Sequence, residues 1–299
     1  MCKKPLHCVL SLALAFFISC SPSSRSEPEE KQQPQDASFE IASSDMENDL
    51  VLPSGSTIAS MIKPPDDYKR LSVLSNSFGE YLRNLPVKPS GSKVKHHDGV
   101  LKSNQNVHVA VIDMEIGSKD LHQCADAVMR LRAEYLWKRG LYSQIHFNFT
   151  SGFRFDYSKW KEGYRIQMEG NKATWVKKSN PSNTYADFWK YMEMVFSYAG
   201  TASLEKELKP VDLADMQIGD LFIKGGFPGH AVVVVDMAVH ESTGEKLFLL
   251  AQSYMPAQET HVLKNPIDAG LSPWCALDFD GELTTPEWTF GRQQLKRFE

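Results

Sequence analysis

The clearest hydrophobic pattern in the chain lies in "GDLFIKGGFPGHAVVVVDM", residues 219–237, where a glycine-rich break leads through His230 into valines at 232–235. Consecutive β-branched residues predict a strand buried on both faces. The turn "ESTGEK" and the run "LFLLAQSYMP" predict its hairpin partner. Upstream, Val107, Val109 and Val111 alternate with His108, Ala110 and Ile112, which predicts a strand within residues 106–117. Leu121, Ala125, Val128, Met129 and Leu136 share one helical face, opened near Asp120 and stopped at Lys138, Arg139 and Gly140. Phe78, Tyr81, Leu82 and Leu85 predict a helix over residues 69–86, ended by Pro86 and Pro89. Residues 145–160 and 164–178 read as β segments around turns. Thr184 and Asp187 open a second long helix, aromatic nearly all round and therefore buried core. Helices first and an antiparallel sheet second predict an α+β fold.

The N-terminus changes the picture of where this domain works. Lys3 and Lys4 precede an apolar run over residues 9–18 that ends in Ile18, Ser19 and Cys20. This is the plan of a secretory signal, too short for the ~20 residues of a membrane-spanning helix. Its end resembles a bacterial lipobox, which implies cleavage after residue 19 and lipidation of Cys20. Residues 20–48 are rich in Ser, Pro, Glu and Gln and read as a flexible spacer. The expected organisation is a signal peptide at 1–19, a lipidated spacer at 20–48, and one α+β domain at 49–299. Within the domain, a helical lead-in (49–105) precedes the core (106–299). Localisation is then the bacterial cell envelope, at the periplasmic or surface face of the outer membrane, with membrane contact through the lipid alone. A net charge of −4 without a basic stripe argues against nucleic acid. Oligomeric state is not legible.

In the body of the chain only Cys124 and Cys275 remain as cysteines. A disulfide, two packed thiols, or one reactive thiol are all compatible with an oxidising compartment. Cys124 falls in the first turn of its helix, where unpaired N–H groups and the helix dipole favour a thiolate. His230, fixed at the edge of the valine strand, is the matching base. Gln252 on the returning strand is the expected orienter of the imidazole. A plain hairpin centred on Thr243 and Gly244 would set Gln252 opposite Val235, so a bulge or another orienter (Ser253, Gln258 or His261) is needed. Gly229, Ser253, Tyr254 and Trp160 are the expected binding residues around this group.

A cysteine at a helix start, then "GD" opening a strand, then "GH" before β-branched residues, is similar to NlpC/P60 and CHAP cysteine peptidases and amidases. The resemblance implies a papain-like core, with the nucleophile helix packed on an antiparallel sheet and Cys124, His230 and Gln252 as nucleophile, base and orienter. The chain departs from that pattern in reading Gln123, Cys124, Ala125 where Asp-Cys-Ser/Gly is usual, and in a longer cysteine-to-histidine spacing. Over nearly its whole length, from about Leu52 to Trp274, the chain also resembles a family of Bacteroidetes lipoproteins known as domain of unknown function 4846. "DLHQCADAVMRLRAEYLW", "GGFPGHAVVVVD" and "LLAQSYMPAQETHVLKNP" carry that likeness.

The remaining polar groups point less sharply. His96, His97 and Asp98 lack a zinc-site spacing, so neither metal nor cofactor is expected. Arg130, Arg132 and Glu134 read as an exposed charged face. Tyr157, Trp160 and Tyr164 have the density of a glycan- or peptide-binding patch, or of core. The functional expectation is a lipid-anchored envelope cysteine hydrolase, attacking an amide in a peptide or glycopeptide such as a peptidoglycan stem. The alternatives are a non-catalytic glycan- or protein-binding lipoprotein on the same scaffold, and a structural envelope lipoprotein.

Overall fold

A computed structural model describes residues 49–170 and 172–299; the signal segment, Cys20 and the spacer lie outside the described residues. Two short helices, α1 (Ile58–Met61) and α2 (Phe78–Arg83), flank strand β1 (Tyr68–Arg70). Strand β2 (His108–Val111) leads to helix α3 (Cys124–Lys138). An aromatic-rich unit follows: the hairpin β3 (His146–Asn148) and β4 (Arg154–Asp156), helix α4 (Tyr157–Lys161), and the hairpin β5 (Tyr164–Glu169) and β6 (Lys172–Lys177). Helices α5 (Tyr185–Tyr198) and α6 (Thr201–Glu207) complete the helical side. The sheet strands are β7 (Lys209–Pro210), β8 (Leu221–Lys224), β9 (His230–His240), β10 (Lys246–Gln252), β11 (His261–Leu263) and β12 (Cys275–Ala276). The hairpin β13 (Glu282–Thr284) and β14 (Thr289–Gly291) precedes the last strand, β15 (Leu295–Arg297).

The fold is α+β. Its main sheet has nine strands in the order β2-β11-β10-β9-β8-β15-β7, with β1 joining β9 and β12 joining β10, every pair antiparallel. Strand β9 carries the predicted two-sided burial. Ala231, Val233, Val235 and Ala238 enter the larger core shared with α3 and α5, while Val232, Val234 and Met237 enter a second core closed by Leu283, Phe290 and Leu295. The alternation slips after Val235, and the ladder shows why. Leu249 pairs with Asp236, but Leu250 pairs with Val234, so β9 holds one residue more than β10 at that point.

That bulge is anchored by charge. The Asp236 carboxylate is fully buried and accepts from Arg83 Nε at 2.6 Å and Arg70 Nε at 2.7 Å. Both arginines come from the N-terminal segment. Residues 49–105 are therefore no separate helical lead-in: β1 is a strand of the main sheet, and the helix expected over 69–86 is confined to α2. Ser77 caps α2 by accepting from the Glu80 N–H at 3.1 Å, and residues 68–70 gain more from a ladder with β9 than from an isolated turn of helix.

The "GD" pair opening β8 is explained by packing. Gly219 has φ of +99°, and a Cβ there would lie 2.8 Å from the Phe78 ring. Asp220 is buried and accepts from Arg297 Nε at 2.6 Å and Nη2 at 2.8 Å, stitching β15 to the start of β8.

Candidate functional site

Helix α3 begins at Cys124 itself. Asp126 Oδ2 accepts from the Gln123 N–H at 3.1 Å, which fixes where the helix starts. Ahead of it, Asp120 Oδ1 accepts from the Ala257 N–H at 2.6 Å and from Gln123 Nε2 at 3.1 Å, tying the lead-in to the loop after β10. The first N–H groups of a helix have no acceptor inside it, and the Cys124 N–H is directed toward its own thiol. On the sulfur side, the backbone N–H groups of Ala125, Ala231 and Cys124 itself favour the thiolate. Ala231, the residue that follows His230, is therefore among the groups whose dipoles act on the nucleophile candidate.

His230 Nε2 lies 2.8 Å from Gln252 Oε1. The amide orientation is set from behind, because Gln252 Nε2 donates to Glu287 Oε2 at 2.7 Å and Glu287 Oε1 holds Lys102 Nζ at 2.6 Å. Gln252 Nε2 also meets His261 Nε2 at 3.4 Å, and His261 Nδ1 donates to the Glu259 carbonyl at 2.8 Å. These contacts fit one protonation pattern. Gln252 presents oxygen to His230, so His230 carries its proton on Nε2 and keeps a lone pair on Nδ1. The bulge makes this contact reachable. The last ladder pair is Ala251 with Val233, so Gln252 continues opposite Val232, and His230 is the diagonal neighbour on the same face. In the unshifted register His230 would point to the other face. Tyr254, Trp288 and Phe290 wall the imidazole, with ring centroids at 4.8, 5.3 and 5.9 Å.

Burial governs the resting charges. It lowers His230 to about 4 and raises the Cys124 thiol to about 11, the latter helped by the Asp126 charge and opposed by the Ala125 and Ala231 N–H groups. The thiolate expected from the helix start is therefore not the resting form: backbone N–H groups do favour it, but loss of water outweighs them. At neutral pH the cavity wall carries a protonated thiol and a neutral imidazole.

The same burial gives a stability profile. His122 and His261 are lowered to about 3 by burial, and with His230 they bind protons near 6.5 only when unfolded, so acid below 6.5 favours unfolding. Burial raises Asp126 to about 8 and Glu207 to about 7, so these two lose stability as pH rises toward those values. The denaturant midpoint should peak near pH 6.5 and fall on both sides, as urea titrations from pH 4 to 9 will show. A midpoint still climbing between pH 7 and 8 would contradict it.

Cys124, His230, Gly229 and Tyr254 line one cavity of about 350 Å³, together with Asp120, Asp126, Phe227 and Trp288. The sequence pattern of one family, domain of unknown function 4846, matches residues 58–297. The chain belongs to that family. No curated protein and no solved structure matches it.

In this family-4846 domain the cavity separates the sequence-predicted residues into those it gathers and those it does not. Cys124 and His230 line it, Gln252 lies outside the lining but holds His230, and Gly229 is needed there: a Cβ would lie 2.4 Å from the Gly226 carbonyl oxygen and 2.8 Å from that of Lys224. Ser253 lies outside the cavity lining, its hydroxyl held between the His122 carbonyl at 2.9 Å and the Gln258 carbonyl at 2.7 Å, where it locks the loop after β10 to the segment leading into α3. Trp160 is also misplaced by the sequence reading. It is buried beneath the β5–β6 hairpin, its Nε1 donates to the Asp187 carbonyl at 3.0 Å, and Arg165 covers its ring. Tyr157 is fully buried and, like Trp160, packs on Tyr191, so these two rings are core, whereas Tyr164 is partly exposed with Lys177 over its ring. Cys124 and Cys275 are free thiols. Among the described residues no group of His, Cys, Asp and Glu is arranged to hold a metal ion. Arg130 and Glu134 are buried and not a solvated face, because Tyr185 of α5 closes over them and donates to Glu134. Sequence reasoning missed Glu287, Trp288 and Lys102, which arrive from segments without periodicity. It missed Asp126 as well, although an acid two residues past a candidate nucleophile was a visible signal.

Proposed function

We propose that this chain is a cysteine hydrolase of papain-like, NlpC/P60 type. In this reading it is tethered to the cell envelope through Cys20 and acts on an amide of a peptide or glycopeptide there. The observation that carries the reading is the Gln252 amide fixed 2.8 Å from His230 Nε2, with His230 and Cys124 on one cavity. A histidine that only ended a turn would need no such orienter, and this one leaves Nδ1 as the free basic nitrogen. Substrate binding brings the carbonyl over Cys124; His230 takes the thiol proton as sulfur attacks, then returns it to the leaving amine. The Cys124 N–H at the helix start receives the developing oxyanion. Water then cleaves the thioester by the same route. Residence in the envelope and the peptidoglycan-like substrate class rest on the signal-like N-terminus and the family resemblance.

Alkylation by iodoacetamide, read by mass spectrometry at the Cys124 peptide, tests the base assignment. His230→Ala should slow Cys124 labelling about 10²-fold while Cys275, buried and raised to about 12, stays unlabelled in both. Equal Cys124 rates in the two proteins would remove His230 from the mechanism.

A further inference from the structure

One carboxyl in the cavity is left unexplained by the Cys–His pair. Asp126 lines the cavity, is only 6% exposed, and uses Oδ2 to cap α3. Its Oδ1 is buried without a hydrogen-bond partner. Capping needs one oxygen, and a buried polar atom left unpaired is costly enough to require a reason. The surroundings are selective in sign. Among the described residues lining the cavity there is no lysine or arginine, and the other charged group is a second carboxylate, Asp120. Asp120 is held below the usual carboxylate range, chiefly by the Ala257 N–H, so it is ionised at neutral pH. Phe196 and Ala199 add apolar wall beside these carboxyls.

We infer that this end of the cavity is a subsite for a primary ammonium group on the ligand, with Asp126 Oδ1 as its acceptor and Phe196 and Ala199 along its alkyl stem. The inference deepens the hydrolase reading and rests on the cavity being its substrate site. Burial keeps Asp126 as a neutral acid at rest, and an arriving ammonium supplies the counter-charge that makes the carboxylate stable there. An anionic group would meet Asp120 with no lysine or arginine in the lining to offset it.

Charge-matched thiol reagents test this on the full chain: 2-aminoethyl, methyl and 2-sulfonatoethyl methanethiosulfonate, with each rate at Cys124 divided by its rate with free cysteine. The normalised rate should be at least about tenfold higher for the ammonium reagent than for the methyl one, and lowest for the sulfonate. Asp126→Asn keeps an oxygen to cap α3 and should abolish the ammonium preference, whereas His230→Ala should slow the reagents without changing their order. As a measurement on the unaltered protein, diglycine should protect Cys124 from the methyl reagent and N-acetyldiglycine should not. The inference is overturned by an absent ammonium preference, by a preference that survives in Asp126→Asn, by equal protection from the two peptides, or by failure of all three reagents to reach Cys124. Failure of the hydrolase reading has a different signature: the ammonium preference persists while His230→Ala leaves every rate unchanged.

Discussion

Replacing Cys124 with alanine should reduce the release of new amino groups from purified peptidoglycan peptides by at least about 10⁴-fold, to background. The size follows from the proposed covalent route. Without sulfur there is no acyl intermediate, and His230 has no thiol proton to take, so little remains beyond binding and the Cys124 position's N–H. Alanine is small and Cys124 is nearly enclosed, so the helix start and its Asp126 cap should survive. On the proposed mechanism, the rate of the unaltered protein should be nearly flat through neutral pH. Its acid limb should lie near 4, where His230 gains a proton, and its alkaline limb near 11, where the thiol loses one. Chromatography of the digests with amine labelling reads both results. Equal release by Cys124→Ala and the parent, or no release by the parent from any such preparation, would refute a cysteine hydrolase.

The second large effect is on stability. Asp236→Ala should destabilise the domain by about 3–5 kcal/mol, because it strands the two arginines that converge on one buried carboxylate. Arg83 is largely enclosed and Arg70 partly so, and they belong to α2 and β1, which meet the main sheet at this carboxylate. Lys69→Ala, which removes an exposed partner of Glu241, should leave the midpoint unchanged. Urea unfolding of the three proteins makes the comparison. An Asp236→Ala midpoint within error of the parent would show that the arginines find other partners. Because Asp236 sits at the bulge, this variant should also disturb the Gln252 contact with His230 more than a distant core substitution of equal cost. The fold and the site share that residue.

How much of this was legible beforehand depends on the range of the interaction that decides each feature. Strand β9, its turn and β10 were legible because period and turn chemistry are local. The same holds for α3, for the cap of α5 by Thr184, and for the β5–β6 hairpin. The placing of Cys124 and His230 on one cavity was legible as chemistry, since a helix start and a strand edge both leave signatures. Features set by distant partners were not. The segment at 68–70 became a strand because β9 offered it a ladder, and Trp160 became core because β5 and α5 folded over it. Arg130 and Glu134 were enclosed by Tyr185, fifty residues or more away along the chain.

The sequence by itself determined an α+β domain, a cysteine at a helix N-terminus, a histidine on a stiff apolar strand, and an amide on the strand beside it. Those follow from backbone periodicity and side-chain type, which act over a few residues. Only the tertiary structure decided that Gln252 faces His230, through one extra residue in β9 clamped by Asp236, Arg70 and Arg83. Only it decided that Glu287 and Lys102 turn that amide the right way, and that burial keeps the thiol and imidazole neutral. Desolvation and long-range hydrogen bonds depend on what packs around a group, and that is a property of the folded chain as a whole.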